Sequence, residues 1–215
     1  MASRKPLKRE LLTFLESKLV SDGFRRVYHQ QFRRDFQEGQ QILQIVFINV
    51  KVGFELEARV AIRHHGIEEL YSSLLGEPRN SRMGTIGVEL GRLKYGRSLV
   101  WYIGDSADVI AVGKEILAAF ETIGYPFLEK YSGLKQIYDV LVNDHEPTEI
   151  FCAIPHLRAE KALVAAYLLE DEIDLHNLFV TKALYVMSED GTYPYVGQFL
   201  EFGTKLIEKY QSPDL

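Results

Sequence analysis

Six histidines, one cysteine and thirty acidic residues are the side chains of this chain best suited to chemistry. Their spacing decides which can act together. His64 and His65 are adjacent at the end of an alternating stretch, where neighbouring side chains point to opposite faces and do not converge on one metal ion. His156 and Glu160 stand four apart in a helical pattern and share a face, which suits acid–base work or a surface ion pair. A zinc site needs about three or four protein ligands, and no spacing here supplies the rest. Cys152 lies between Phe151 and Ala153 with no base near it in sequence, which reads as a buried thiol rather than a nucleophile. Glu55 and Glu57 share a strand face, as paired glycosidase carboxyls can and as the solvated side of any strand does. No serine sits in a nucleophile elbow, and the glycines of "GTIGVELG" are wrongly spaced for a dinucleotide. The expectation is therefore no catalytic set, no cofactor and no metal.

The turn "GDSAD" (residues 104–108) joins an aromatic strand to a helix and invites a phosphate-loop reading. Asp105 and Asp108 already occupy the field of the helix N-terminus, so the turn caps a helix instead. The elements around it follow from periodicity. Leu7, Leu11, Leu12, Leu15 and Leu19 form one helical stripe that ends at Ser21–Asp22–Gly23. "YHQQFRRDF" reads as one strand, with Tyr28, Phe32 and Phe36 on one parity. "QQILQIVFINV" is apolar on both parities, the pattern of a strand covered on both faces. "GFELEARVAIR" alternates, with Phe54, Leu56, Ala58, Val60 and Ile62 inward and Glu55, Glu57, Arg59 and Arg63 outward. A short helix and a loop follow, then "TIGVELGRL" and "SLVWYIGD" as two further strands. Val109, Val112, Ile116, Leu117 and Phe120 make a second helical stripe, closed at Gly124. The remainder reads as helices, with a break near Asp171–Asp174 and a last helix in "YVGQFLEFGTKLIEKY".

These elements imply an α+β fold: an antiparallel sheet of about five strands, with the Leu7–Leu19 and Val109–Phe120 helices packed on one face. A helical C-terminal segment of three helices follows. Charge places the boundary. Residues 1–143 hold 20 basic against 17 acidic side chains, while residues 144–215 hold 5 against 13. The reading is a domain over 1–143 and an acidic helical extension over 144–215, packed on the first. The sheet's second face, where Ile45, Phe47 and Tyr102 are provisionally placed, needs cover from those helices or from another molecule. No window is long and apolar enough for a membrane span, and the N-terminus lacks a signal-peptide stretch. With a single cysteine, a cytoplasmic protein is expected.

The region from about Leu7 to Val142 resembles a bacterial family known as domain of unknown function 4304. The resemblance rests on the helix ending in "SDGFRR", the spaced aromatics of "VYHQQFRRDF", the run "QILQIVFINV…FELEARVAI", and "LVWYIGDSADVIAVGKEILAAF". It implies an α+β fold, carries over no catalytic residue, and leaves the acidic tail outside.

Function is then expected to be that of a non-enzymatic protein-interaction module, in a bacterial defence or toxin-immunity setting, with a protein partner or a homo-oligomer. The candidate partner-binding residues are Arg33, Arg59, Arg63, Glu170, Asp171, Glu172 and Asp174, because opposed charge patches steer protein association. Two alternatives stand beside it. One is a nucleic-acid-binding module using Arg25, Arg26, Arg33 and Arg34 of the basic N-terminal region. The other is an enzyme of unrecognised type with His64 or His156 in a pocket.

Overall fold

The computed structural model describes residues 4–28, 30–76, 83–145, 148–170, 173–189 and 193–211. The chain divides into two compact units. The first is Met1–Ile62 with Gly87–Lys130, and the second is Arg63–Ile86 with Tyr131–Leu215.

The first unit is organised by an antiparallel sheet. Its strands are β1 (Arg25–Tyr28), β2 (Gln31–Phe36), β3 (Gly39–Asn49), β4 (Phe54–His64), β5 (Ile86–Glu89) and β6 (Trp101–Ile103). They lie in the order β1-β2-β3-β4-β5, with β6 also paired to β4. The alternation expected of β4 is present, since Phe54, Leu56, Ala58, Val60 and Ile62 are all buried. Phe32 faces Leu43, and Phe54 faces Ile103, which extends this inner face across the sheet. Ile45 and Phe47 belong to it as well, because the Phe47 ring meets Phe54 edge to face at 5.2 Å. That corrects their placement on the second face, which instead carries Ile42, Val46, Ile48 and Tyr102.

Helices α1 (Arg4–Leu19) and α4 (Ser106–Ala119) pack against each other and cover the inner face. Lys8 of α1 lies over the rings of Phe47 and Phe54. Gly113 of α4 allows close approach, as a Cβ there would stand 2.5 Å from the Phe14 ring. Asp105 caps α4 through Ala107 N, while Asp108 reaches back to the amides of Gly104 and Asp105. The turn is thus a capping box, as its acids imply.

Three local expectations need correction. "YHQQFRRDF" is not one strand: it folds into a hairpin in which Tyr28 pairs with Gln31, and residue 29 lies outside the described set. "TIGVELGRL" leaves the sheet after Glu89, whose carboxylate accepts the amides of Gly91 and Arg92 and starts α3 (Leu90–Tyr95). Gly124 does not end a helix. The chain continues through a wide π turn (Phe120–Gly124) into α5 (Tyr125–Lys130).

The second unit is helical. It holds α2 (His65–Leu75), α6 (Leu134–Val142), a 3₁₀ turn (Thr148–Cys152), α7 (Pro155–Leu168), α8 (Leu175–Glu189) and α9 (Tyr193–Gln211). Helix α7 is its axis, touched by α2, α6, α8 and α9. Every residue from Arg158 to Ala166 is buried, so this helix has no solvated face over that span. Ala159, Ala162, Ala165 and Ala166 let its neighbours come close. The unit boundaries therefore differ from the division at 143/144. Helices α2 and α6, which precede that point, pack on α7, which follows it.

Candidate functional site

A helix buried on all sides must find partners for its charged residues. Arg158, Glu160 and Lys161 of α7 each do so, in three different directions.

Lys161 turns toward α2. Its ammonium donates to Glu68 Oε1 at 2.7 Å and to the carbonyl of Gly84 at 3.3 Å. Glu68 also accepts from Arg63 at 3.3 Å and from the hydroxyl of Thr85 at 2.9 Å. Thr85 in turn accepts the backbone amide of His64, whose Nδ1 caps α2 through Ile67 N. This closed network orders the entry to α2.

Arg158 points toward the chain between α6 and α7. It donates to the carbonyls of Cys152 and Glu149, to Asp144, and to the hydroxyl of Tyr185 on α8. Lys182 of α8 joins the same carboxylate and also donates to the carbonyl of Val142 at 2.7 Å. Burial holds the Lys182 ammonium below its ordinary range, opposed by its bond to Asp144. Cys152 is buried beside this cluster, and desolvation pushes its thiol up, away from the thiolate a nucleophile needs.

Glu160 faces a cavity of about 360 Å³ bounded by α2, α7 and α9, with Tyr71, His156, Glu201 and Lys205 among its lining residues. The residue is only 4% exposed. The hydroxyl of Tyr71, one α2 turn beyond Ile67, donates to Glu160 Oε2 at 2.9 Å. Desolvation raises the proton affinity of the carboxyl, while the Tyr71 bond, His156 and Lys161 oppose the rise. His156, one helical turn before Glu160, stacks on the ring of Tyr195 at 4.4 Å. Phe202 packs beside Tyr71, and Glu201 pairs with Lys205 at 2.7 Å on the rim. The pairing of His156 and Glu160 on one face was legible from their spacing. The burial of Glu160, and the Tyr71 that meets it from 89 residues away, were not.

No family model matches the chain, and no curated protein or solved structure does either. Among the described residues no group of three or more His, Cys, Asp or Glu is placed to hold a metal ion, and no helix is long and apolar enough to cross a membrane.

The residues singled out from sequence fall in both units. Arg59 is exposed on β4 and pairs with Glu57 at 3.2 Å. Arg33 and Arg63 are buried. Arg33 donates to Gln31 and Gln40 and lies over Tyr28, while Arg63, of the same β4 parity as Glu57 and Arg59, is buried in the Glu68 network. Glu170 is exposed just beyond α7 with a left-handed backbone, φ 56°. Asp174 caps α8 through Asn177 N. Asp171 and Glu172 lie outside the described residues. The basic N-terminal set is similarly committed within its own unit. Arg25 pairs with Asp35, Arg26 with Glu16, and Arg34 bonds Gln41 beneath the rings of Phe24 and Tyr125.

One surface of the first unit remains open. Phe47 and Phe54 face inward, so Ile48 and Glu55 face the other way, and Tyr102 pairs with Glu55 across the sheet. Ile48, Val100 and Tyr102 are 38, 45 and 48% exposed. The Tyr102 hydroxyl donates to the carbonyl of Val52, itself exposed in the β3–β4 turn. Glu57 and Arg59 continue the same face along β4.

Proposed function

We propose that this protein is a non-enzymatic protein-interaction module, and that the partner at the hairpin end of its sheet is a second copy of the chain. The reading is carried by the open face just described: Ile48, Val52, Val100 and Tyr102 are exposed apolar residues accompanied by the charged Glu55, Glu57 and Arg59, on a sheet whose inner face is buried. Contiguous apolar surface with a polar rim marks association sites in soluble proteins.

The rim favours a like partner. A two-fold interface must be self-complementary, since each patch meets its own copy. Glu57 and Arg59 supply both signs on one strand face, two residues apart. A two-fold axis beside that strand lets each Arg59 exchange its own Glu57 for the second copy's, so that no charge loses its counter-ion.

Sedimentation equilibrium over a series of concentrations tests this. The expected result is a monomer–dimer equilibrium that shifts to monomer in Ile48→Lys and in Val100→Lys, with circular dichroism and melting unchanged. A chain that stays monomeric at every concentration, or a dimer indifferent to both substitutions, overturns the proposal.

A further inference from the structure

The cavity between α2, α7 and α9 belongs to a different unit from the open sheet face and has its own chemistry. A buried carboxylate is costly unless it is hydrogen-bonded or meets a cation. Glu160 has been carried into the most buried helix of its unit, yet it faces a cavity rather than a buried base. Its helical neighbour Lys161 bonds Glu68 and lies over the Tyr71 ring at 5.7 Å, and the rim ammonium of Lys205 is engaged by Glu201. A carboxylate has about four lone-pair sites on its two oxygens, and the Tyr71 hydroxyl takes one on Oε2.

The walls suit the same kind of guest. Tyr71 and Phe202 stand together at 5.4 Å; Lys161 already lies over the Tyr71 ring, and the Phe202 ring beside it adds aromatic wall that attracts cations. Two acids, Glu160 and Glu201, line the space against one lysine and one histidine. The volume, about 360 Å³, lies at the small end of the range for ligand pockets, roughly 300–1,000 Å³.

We propose that this cavity binds a small organic cation, a primary ammonium or guanidinium group, with Glu160 as its counter-ion and Tyr71 and Phe202 as its walls. The cation donates to the carboxylate at the floor while the Tyr71 hydroxyl holds that carboxylate in place. The guest can be a free amine or the side chain of a lysine or arginine in a peptide, and the chemistry at Glu160 is the same for both.

Binding couples to protonation. The cation requires ionised Glu160, whose proton affinity is set by desolvation against Tyr71 of α2, His156 and Lys161 of α7, with Glu201 and Lys205 of α9 on the rim. Cation binding must therefore release a proton at pH values near the raised pKa, and affinity must fall as pH drops through it.

Isothermal titration of the full chain with butylammonium, butylguanidinium, N-acetyl-lysine amide and butyrate tests the proposal. The two small cations are expected to bind and butyrate not to. Lysine amide binding as tightly as butylammonium identifies a peptide side chain as the guest, and weaker binding identifies a free amine. Glu160→Gln keeps an acceptor for Tyr71, so the fold is retained, and it should lose affinity by about tenfold or more. Leu74→Trp fills the cavity without changing a charge and should abolish binding. Absence of cation binding to the wild type, butyrate binding as well as the cations do, or full affinity in Glu160→Gln overturns the inference. None of these outcomes depends on whether the sheet face self-associates.

Discussion

At the residue scale the second unit is defined by where it puts its charges. Arg158 and Lys182 are each 1% exposed, and both meet Asp144. Taking two cations out of water is tolerable only because one carboxylate and three backbone carbonyls receive them. The arrangement ties the chain after α6 to α7 and α8, and a single residue holds it. Asp144→Asn keeps the shape and removes the charge, leaving two buried cations without a counter-ion. It should cost about 3 kcal/mol of stability, since breaking a buried pair costs roughly 3–5 kcal/mol and Asp144 is partly solvated. Urea unfolding of the variant beside the wild type measures this, and a loss below about 1 kcal/mol would show the cations are hydrated in solution. Sequence spacing could not reveal this cluster, because its members are 14 and 38 residues from Asp144. A visible hint did exist: Arg158, Glu160 and Lys161 sit among alanines in the most densely apolar helix of the tail.

At the element scale, what was readable from sequence was whatever obeys a period. The β4 alternation, the α1 and α4 stripes and the Asp105 cap all follow from local rules, and all are present. The departures come from chain reversals and caps that use uncommon residues. The β1–β2 turn contains no glycine, so nothing in "YHQQF" announces a hairpin. Glu89 starts α3 with a carboxylate that also accepts the amide of Leu99, a use seen only once the chain has folded back. The β3–β4 turn is the opposite case, because it depends on one glycine. Gly53 has φ +65°, and a Cβ there would lie 2.1 Å from the carbonyl oxygen of Ile103 and 3.0 Å from the Gly104 Cα. Both obstacles are backbone, so neither can rotate away. Gly53→Ala should therefore destabilise the first unit by more than the roughly 1–2 kcal/mol of a left-handed alanine. It should also displace β6 from Phe54–Leu56. Thermal melting reports the first effect, and amide exchange at Tyr102 reports the second. A variant melting like the wild type would mean the turn relaxes freely, and the open face beside it would then have no fixed shape.

At the scale of the whole molecule, composition and contacts draw different boundaries. The swing from a slight basic excess to a strong acidic one falls at 143/144, where a linear reading divides the chain. Contacts group residues 63–86 and 131–143 with the tail, because helix α7 needs α2 and α6 to bury its apolar and charged residues together. Composition follows surface charge, whereas a compact unit follows shared burial, and these need not change at the same residue. The two divisions predict different behaviour for a chain ending at Val142. If the charge boundary marked a folding unit, that fragment would be a stable, cooperatively unfolding domain. The observed packing removes α7 from it and leaves Ile67 and Phe202's neighbour Tyr71 on α2, with Ile137, Val140 and Leu141 on α6, stripped of their cover. Unsatisfied apolar surface of that extent drives aggregation. The fragment should bind a hydrophobic dye, show poor amide dispersion over residues 63–86 and 131–142, and lose solubility relative to the full chain. Well-dispersed spectra over both segments would show that α2 and α6 hold their fold without α7, and would return the boundary to the place where the charge changes.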